Sequence, residues 1–152
     1  MEEFKKIFEW LSLAGIVYED SDKQRQLGLD LIDEELNELY RGILNRDKEE
    51  IKDGAVDLIW MILNNVVFNN ISQEVFFDFL IKVRESNFSK FCTDEETAIR
   101  TVEAYKTGTH PDKMGQEISC YYTKIGNYFI IKRFDDKVMK SIHYKKVSEI
   151  CN

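Results

Sequence analysis

Two groups of carboxylates, separated by a short polar turn, are the residues of this chain best suited to chemistry. The acids are Glu34, Glu35 and Glu38 in the first group and Glu50, Asp53 and Asp57 in the second. The spacing of the second group, i, i+3 and i+7, puts its members on one face of a predicted helix. If the two helices pack antiparallel, as a short turn favours, two acids roughly 5 Å apart repel by about 3 kcal/mol at an effective dielectric of ~20. Because of this repulsion, the cluster predicts a bound cation.

A magnesium ion fits this requirement. Hard divalent ions take oxygen ligands, and Mg²⁺ binds few carboxylates, keeps several waters and uses substrate phosphates for the rest. The alternative is that these acids form a solvated helix surface, which is the usual fate of a charge run. Asp57 favours the metal site, because it lies inside the apolar run GAVDLIWMIL, where an unpaired charge is costly.

The elements that position these acids follow from apolar residues at helical spacing. Four helices are predicted: the first over residues 2–13, the second from an N-cap at Ser21 or Asp22 to about Gly42, the third from Lys48 to Asn69, and the fourth after an N-cap at Ser72. Residues 45–47 form the turn between the second and third helices. These helices predict a four-helix bundle over residues 1–92.

The remainder, residues 93–152, predicts a short fifth helix, a β-hairpin and a basic tail. Thr93 is expected to cap the helix, which runs to Tyr105, with Glu96 completing a capping box. ISCYYTK and YFIIKRF, joined by the turn IGN, predict the hairpin, and Asp135-Asp136 begins a second turn. The fold class is therefore mainly α, and the 152 residues are expected to form one domain.

Charge and cysteine usage exclude several classes of protein. The formal charge of −7 argues against a general nucleic-acid binder, but residues 1–60 hold 16 acids and 8 bases whereas residues 124–146 hold 7 bases and 2 acids. This asymmetry predicts metal binding by one part and phosphate binding by the other. The three cysteines form no CxxC pair, the start is no signal peptide and no segment resembles a membrane span, so a cytoplasmic location is expected.

Two cationic segments could hold phosphates. The first is KVRESNFSKF at 82–91 and the second is DDKVMKSIHYKK at 135–146. Stabilisation of a helix C-terminus by cations, or a simple exposed tail, would explain them equally well. His110 and His143 are interpreted as ordinary surface histidines, and the P-loop, dinucleotide-binding and nucleophile-elbow motifs are missing from the sequence.

These motifs together resemble the all-α nucleoside triphosphate pyrophosphohydrolases, the MazG-like and phosphoribosyl-ATP pyrophosphohydrolase-like superfamily. EELNEL at 34–39 followed by EIKDGAVDLIW at 50–60 resembles its paired acidic motif. NFSK at 87–90 and DDKVMKSIHY at 135–144 resemble further motifs of small single-domain MazG-like proteins, many of them from phages. Two positions depart from the pattern: Gly54 stands where an acid is expected, and Asp136 stands where the tail motif has glycine.

The resemblance implies Mg²⁺-dependent hydrolysis of a (d)NTP between the α and β phosphates, with Mn²⁺ as an alternative ion. It implies metal ligation by Glu35, Glu38, Asp53 and Asp57, and a general base at Glu34 or Glu50. It implies substrate binding by Arg84, Asn87, Lys90, Lys140 and Tyr144. A homodimer or homotetramer is expected, with no nucleic-acid or membrane partner. Two alternatives stay open, namely a nucleotide-sequestering protein without activity and a helical protein-interaction module.

Overall fold

The computed structural model describes residues 2–150, in which helices occupy the first two thirds of the chain. The elements in chain order are α1 (Glu2–Leu13), α2 (Asp22–Asn45), α3 (Lys48–Phe68), α4 (Gln73–Phe88), α5 (Glu95–Lys106), β1 (Cys120–Ile125), β2 (Tyr128–Arg133) and a 3₁₀ turn (Val147–Glu149). The mainly α fold class with a C-terminal hairpin is thereby confirmed. No helix within residues 2–150 has the length and apolar character needed to cross a membrane.

Side-chain caps explain where the two acid-bearing helices begin. The Ser21 hydroxyl accepts a hydrogen bond from the backbone nitrogen of Gln24 (3.1 Å), and the Asp47 carboxylate accepts two at the start of α3. The second helix continues three residues beyond the predicted end at Gly42. It stops at Arg46, whose positive φ of 57° closes the helix in the left-handed conformation.

The predicted cap of α5 is wrong by one residue. Asp94, and not Thr93, is the N-cap, and its carboxylate accepts hydrogen bonds from the backbone nitrogen (2.7 Å) and the hydroxyl (2.9 Å) of Thr97. The capping box expected from Thr93 and Glu96 therefore does not form. Both Thr and Asp are good caps, so the sequence alone did not distinguish them.

The chain forms two compact units, which we call the helical unit (within residues 1–77) and the mixed unit (within residues 78–152). The boundary falls inside α4, after Phe77. In the helical unit, Phe8 and Leu11 of α1 pack with Leu63 of α3, and the Phe8 ring contacts Phe77 at a centroid distance of 5.9 Å. The expectation that all 152 residues form one domain stays a prediction.

Glycines let the backbones of α2 and α3 approach each other closely. A Cβ atom added at Gly54 would lie 2.8 Å from the backbone nitrogen of Leu39, and one at Gly42 would lie 2.9 Å from that of Ile51. Neither backbone atom can move like the end of a flexible side chain. The two acidic motifs are therefore carried by helices in direct backbone contact, without intervening side chains at these points.

The mixed unit is organised around β2. This strand pairs antiparallel with β1 from the Cys120–Arg133 pair to the Ile125–Tyr128 pair. On its other edge it forms isolated bridges to Cys92 and to Val138. The buried core of the mixed unit contains Cys92, Ala98, Tyr105, Phe129, Ile131 and Met139.

Asp136 occupies a turn position that requires a left-handed backbone. Its φ is 63°, a value that glycine adopts freely and that aspartate and asparagine tolerate better than most residues. Its carboxylate lies 3.3 Å from the Lys132 ammonium. Asp136 therefore keeps the turn in which the tail motif of the family has glycine. The turn predicted at Asp135-Asp136 is confirmed.

Candidate functional site

The acids of α2 and α3 interact with one another across the helix pair. Glu35 is half-buried on α2, and burial raises the pKa of its carboxyl group. Four like charges raise the same pKa further; in order of decreasing effect they come from Asp57, Glu38, Glu34 and Asp53. Two of these charges stand on α2 and two on α3, so the structure brings the predicted metal ligands together around Glu35.

Arg41 is the one cation that pairs with these acids among residues 2–150. Its Nη2 atom lies 3.1 Å from Glu38 Oε1, one turn back on α2, and its Nε atom lies 3.6 Å from Glu50 Oε1 on α3. Sequence reasoning did not select Arg41, although its position three residues after Glu38 was a usable signal. No ion pair or hydrogen bond within the described part of the chain involves the half-buried Asp57 carboxylate.

The donors are of the right type for a divalent ion, but they are not yet arranged around one point. Carboxylate oxygens are the ligands that Mg²⁺ and Mn²⁺ take, and a cation would relieve the repulsion at Glu35. Across residues 2–150, however, no three His, Cys, Asp or Glu side chains already form a set that could hold a metal ion. The residues therefore fit a metal in chemistry, and their side chains would have to turn to bind it.

Gly54 explains why the expected acid is missing from α3. The glycine is buried against the backbone of Leu39, so a carboxylate side chain there would force the two helices apart. Asp53, one residue earlier, is exposed and still acts on Glu35. The substitution thus serves helix packing, and α3 offers Asp53 and Asp57 instead of a Glu-x-x-Asp pair.

In the mixed unit, the two cationic segments meet. The backbone nitrogen of Ser141 donates to the Lys90 carbonyl (3.0 Å), and Ser86 donates to the carbonyl of Lys145 (2.8 Å). The Ser86 hydroxyl also lies 3.3 Å from that of Tyr144. The structure therefore joins NFSK and the tail into one region.

Several predicted substrate residues are engaged within this region. The Lys90 ammonium donates to the Asn87 side chain (2.6 Å), while the Lys140 ammonium pairs with Asp112 (2.6 Å) and lies 4.4 Å from the centroid of the Tyr144 ring. Arg84 is different. Its side chain is 60% exposed and its ion-pair partner is the adjacent Glu85, at 3.8 Å, so within residues 2–150 no hydrogen bond or ion pair connects it to the other four.

A basic cavity of about 320 Å³ lies beside the tail. Its lining includes the cationic side chains Lys113, Arg133, Lys137 and Lys140. Asp112 and Asp135 pair with Lys140 and Arg133, whereas Lys113 and Lys137 form no ion pair with any described residue. Such a lining suits an anion with several charged oxygens. Lys137 and Lys140 belong to the cationic segment that the sequence predicted, whereas Lys113 was not predicted, because it lies 24 residues before Lys137 in a loop.

His110 contradicts its interpretation as a surface histidine. Its side chain is 1% exposed and stacks on Tyr105 at a centroid distance of 3.8 Å. Nδ1 accepts a hydrogen bond from the backbone nitrogen of Asp112 (3.2 Å), and burial lowers the pKa of the ring. No sequence signal distinguished it from His143, which is exposed as expected.

The family model for phosphoribosyl-ATP pyrophosphohydrolase matches residues 12–84. That family is part of the MazG-like all-α nucleoside triphosphate pyrophosphohydrolase superfamily, to which residues 12–84 are therefore similar. No curated protein and no solved structure matches the chain significantly.

Similarity to this family supports a pyrophosphohydrolase-like activity in general, and enzymes of this kind typically use divalent metal ions. The matched segment includes all six acids of the paired motif. It ends at Arg84, so the remaining substrate residues, Asn87, Lys90, Lys140 and Tyr144, lie outside it. Their assignment rests on the sequence motifs and on the contacts within the mixed unit.

Proposed function

We propose that the chain is a Mg²⁺-dependent nucleoside triphosphate pyrophosphohydrolase that cleaves a (d)NTP between the α and β phosphates. The observation that carries this proposal is the convergence of like charges from α2 and α3 on Glu35, in the segment that the family model matches. Mutual repulsion of these carboxylates lowers the stability of the metal-free protein. A bound divalent cation would relieve this repulsion, which favours binding of the cation.

Each acid has a proposed role. The metal ligands are Glu35, Glu38, Asp53 and Asp57, and the general base is Glu34 or Glu50. A bound divalent ion would neutralise charge that develops on the phosphate oxygens. One water adds across the α–β anhydride, the base accepts its proton, and the products are a nucleoside monophosphate and pyrophosphate. Mn²⁺ is expected to replace Mg²⁺, since both take oxygen ligands.

The basic residues of the mixed unit are proposed to bind phosphate. Lys90 and Lys140 would contact phosphate oxygens, with Arg84 as a further cation, and Asn87 and Tyr144 would contact the nucleoside. Tripolyphosphate titrated into the protein in a calorimeter tests this part separately from catalysis. We expect Lys140→Gln to weaken its binding and Lys106→Gln, an exposed lysine on α5, to leave it unchanged. Equal binding by both variants would remove Lys140 from the proposal.

Assembly into a homodimer or homotetramer is part of the proposal. Large apolar side chains on α2 remain exposed within the helical unit, among them Tyr40 (59%) and Ile43 (53%), and α3 adds Val56 (58%). Exposed apolar surface of this kind marks association sites. Light scattering that shows only an 18.0 kDa monomer would contradict it. The cytoplasmic location also remains a prediction, based on cysteine usage.

The decisive assay measures pyrophosphate release from each natural NTP and dNTP in the presence of Mg²⁺. We expect release from at least one substrate, and a loss of roughly 100-fold or more in Glu38→Gln and Asp57→Asn, since each removes a proposed ligand. Glu9→Gln, an exposed acid on α1, is the matched control and should retain full activity. Release that persists in both site variants would rule out this metal site.

A nucleotide-sequestering protein is the second candidate, because no ligand set for a metal is preformed among residues 2–150. In that case the protein would bind a nucleotide tightly and return it intact. Calorimetric binding followed by chromatography of the recovered nucleotide separates the two functions.

A further inference from the structure

Arg41 links the two acid-bearing helices. Its guanidinium contacts one acid on each helix, Glu38 on α2 and Glu50 on α3, at 3.1 and 3.6 Å. A divalent cation bound by the two motifs would make the same kind of link between the helices. Arg41 therefore supplies a positive charge to carboxylates that the proposed mechanism assigns to the metal and to the base.

The packing of the helices makes this link possible. Arg41 is adjacent to Gly42, and a Cβ at Gly42 would lie only 3.1 Å from the backbone carbonyl carbon of Glu50. The Glu38 and Glu50 side chains are 42% and 32% exposed, so both are accessible to a side chain that crosses the helix contact. A bulkier residue at position 42 would separate Arg41 from α3.

We infer that Arg41 is an internal counter-cation that pairs with Glu38, a proposed metal ligand, and with Glu50, a proposed base, while no metal is bound, and that it competes with the divalent ion for Glu38. This inference rests on the proposed function. Glu38 is both one of the four acids whose charge acts on Glu35 and the closer partner of the guanidinium, so Arg41 already neutralises part of the cluster. Metal binding then requires that Arg41 release Glu38.

The competition has a measurable consequence. An exposed ion pair is worth about 0.2–1 kcal/mol, so freeing Glu38 from Arg41 should tighten divalent metal binding by roughly 1.4- to fivefold. The Arg41 side chain is 59% exposed, so its substitution leaves the helix packing intact. Circular dichroism before and after the change checks that the fold is retained.

Titration of the whole protein with Mn²⁺, followed by the electron paramagnetic resonance signal of the free ion, measures this affinity without nucleotide or turnover. The variants are Arg41→Gln and the matched control Lys52→Gln. Lys52 is 66% exposed on α3 and pairs with Glu49, outside the cluster. We expect Arg41→Gln to bind Mn²⁺ more tightly than the wild type, and Lys52→Gln to bind it equally.

Three results would overturn the inference, and they differ in what else they affect. Equal affinity of Arg41→Gln and the wild type would show that Arg41 does not compete, and would leave the proposed metal site standing. Equal tightening in both variants would show a general effect of net charge. If neither the wild type nor Arg41→Gln binds Mn²⁺, the proposed metal dependence fails, and the inference fails with it.

Discussion

The backbone of Gly54 packs directly against that of Leu39, so closely that an added Cβ would lie 2.8 Å from the Leu39 nitrogen and 3.0 Å from its Cα. A glycine in an open helix position is about 1 kcal/mol less stable than alanine. At position 54 we expect the opposite order, with the glycine protein more stable than the alanine variant.

We expect Gly54→Ala to lower the free energy of unfolding by about 1–3 kcal/mol, because the methyl group overpacks the helix contact. Gly54→Glu should lower it further, although it restores the acid of the family motif. Urea denaturation measures both, with Lys52→Ala as an exposed control on α3. A stabilised Gly54→Ala protein would show that the two helices are not in contact there.

Asp57→Asn should stabilise the metal-free protein at pH 7 while it reduces metal binding. Asp57 is the strongest of the like charges that raise the pKa of Glu35, and its own carboxylate forms no ion pair with any residue in the range 2–150. We expect the melting temperature to rise by about 1–4 °C. Glu9→Gln, which lies outside the cluster, should leave it unchanged. A lower melting temperature in Asp57→Asn would mean that the acids are stabilised by contacts other than a metal.

The same repulsion has a pH dependence. The raised pKa of Glu35 means that its charged form is disfavoured in the folded state, so folding loses stability as pH rises above the ordinary range of glutamate. Glu35→Gln should therefore gain stability at pH 7 and gain nothing below about pH 4, where the carboxyl group is protonated in both states. Thermal denaturation at the two pH values measures the difference. An equal gain at both would attribute the effect to packing.

His110 should make the mixed unit sensitive to acid. Its lowered pKa means that the unfolded chain binds a proton first as pH falls below about 6.5, so stability is full above that pH and declines below it. His110→Phe can still stack on Tyr105 but cannot be protonated. We expect it to reduce the slope of unfolding free energy between pH 7 and pH 5 by up to about 1.4 kcal/mol per pH unit.

Gln116→Asn, a change of an exposed residue that does not titrate, provides the control for this slope and should leave it unchanged. Chemical denaturation followed by tyrosine fluorescence at several pH values gives the slope directly. If His110→Phe and the wild type have parallel pH profiles, the ring of His110 exchanges protons freely in the folded state.

Asp136→Gly should be tolerated and Asp136→Val should not. The left-handed backbone, with φ at 63°, costs a β-branched residue about 1–2 kcal/mol, whereas glycine adopts it freely and loses only the contact with Lys132. We expect the valine variant to lower the free energy of unfolding by that amount and the glycine variant to change it by less than about 0.5 kcal/mol. Val138→Ala, in the same exposed segment, checks that side-chain loss alone is not responsible.

The sequence predicted the helices well because their apolar spacing, capping residues and turn signals agree. It placed α3 within one residue at its end and identified both hairpin strands. The acids around Glu35 could also be anticipated, since two helices joined by a short turn must face each other. Helical spacing alone did not show that Gly54 is a contact point, because an expected ligand and a packing position are indistinguishable in one sequence.

The pairing of Arg41 with Glu50 and the burial of His110 depend on tertiary contacts, which the spacing of residues in the sequence reveals only in part. Arg41 reaches Glu50 across the helix pair, and this reach depends on the missing Cβ of Gly42. His110 is buried because a loop folds its ring onto Tyr105, and a loop has no periodicity from which burial could be predicted. Long-range contacts of this kind are set by tertiary packing.

The tail that carries Lys140 and Tyr144 has no regular secondary structure at residues 140–142. Each of these three residues nevertheless donates a backbone hydrogen bond to a different partner. The Lys140 nitrogen donates to the Tyr105 hydroxyl (3.2 Å), that of Ser141 to the Lys90 carbonyl (3.0 Å) and that of Ile142 to the Thr101 hydroxyl (3.3 Å). These three protons should exchange with deuterium far more slowly than those of an ordinary loop, and in step with one another, since one opening event would release them all.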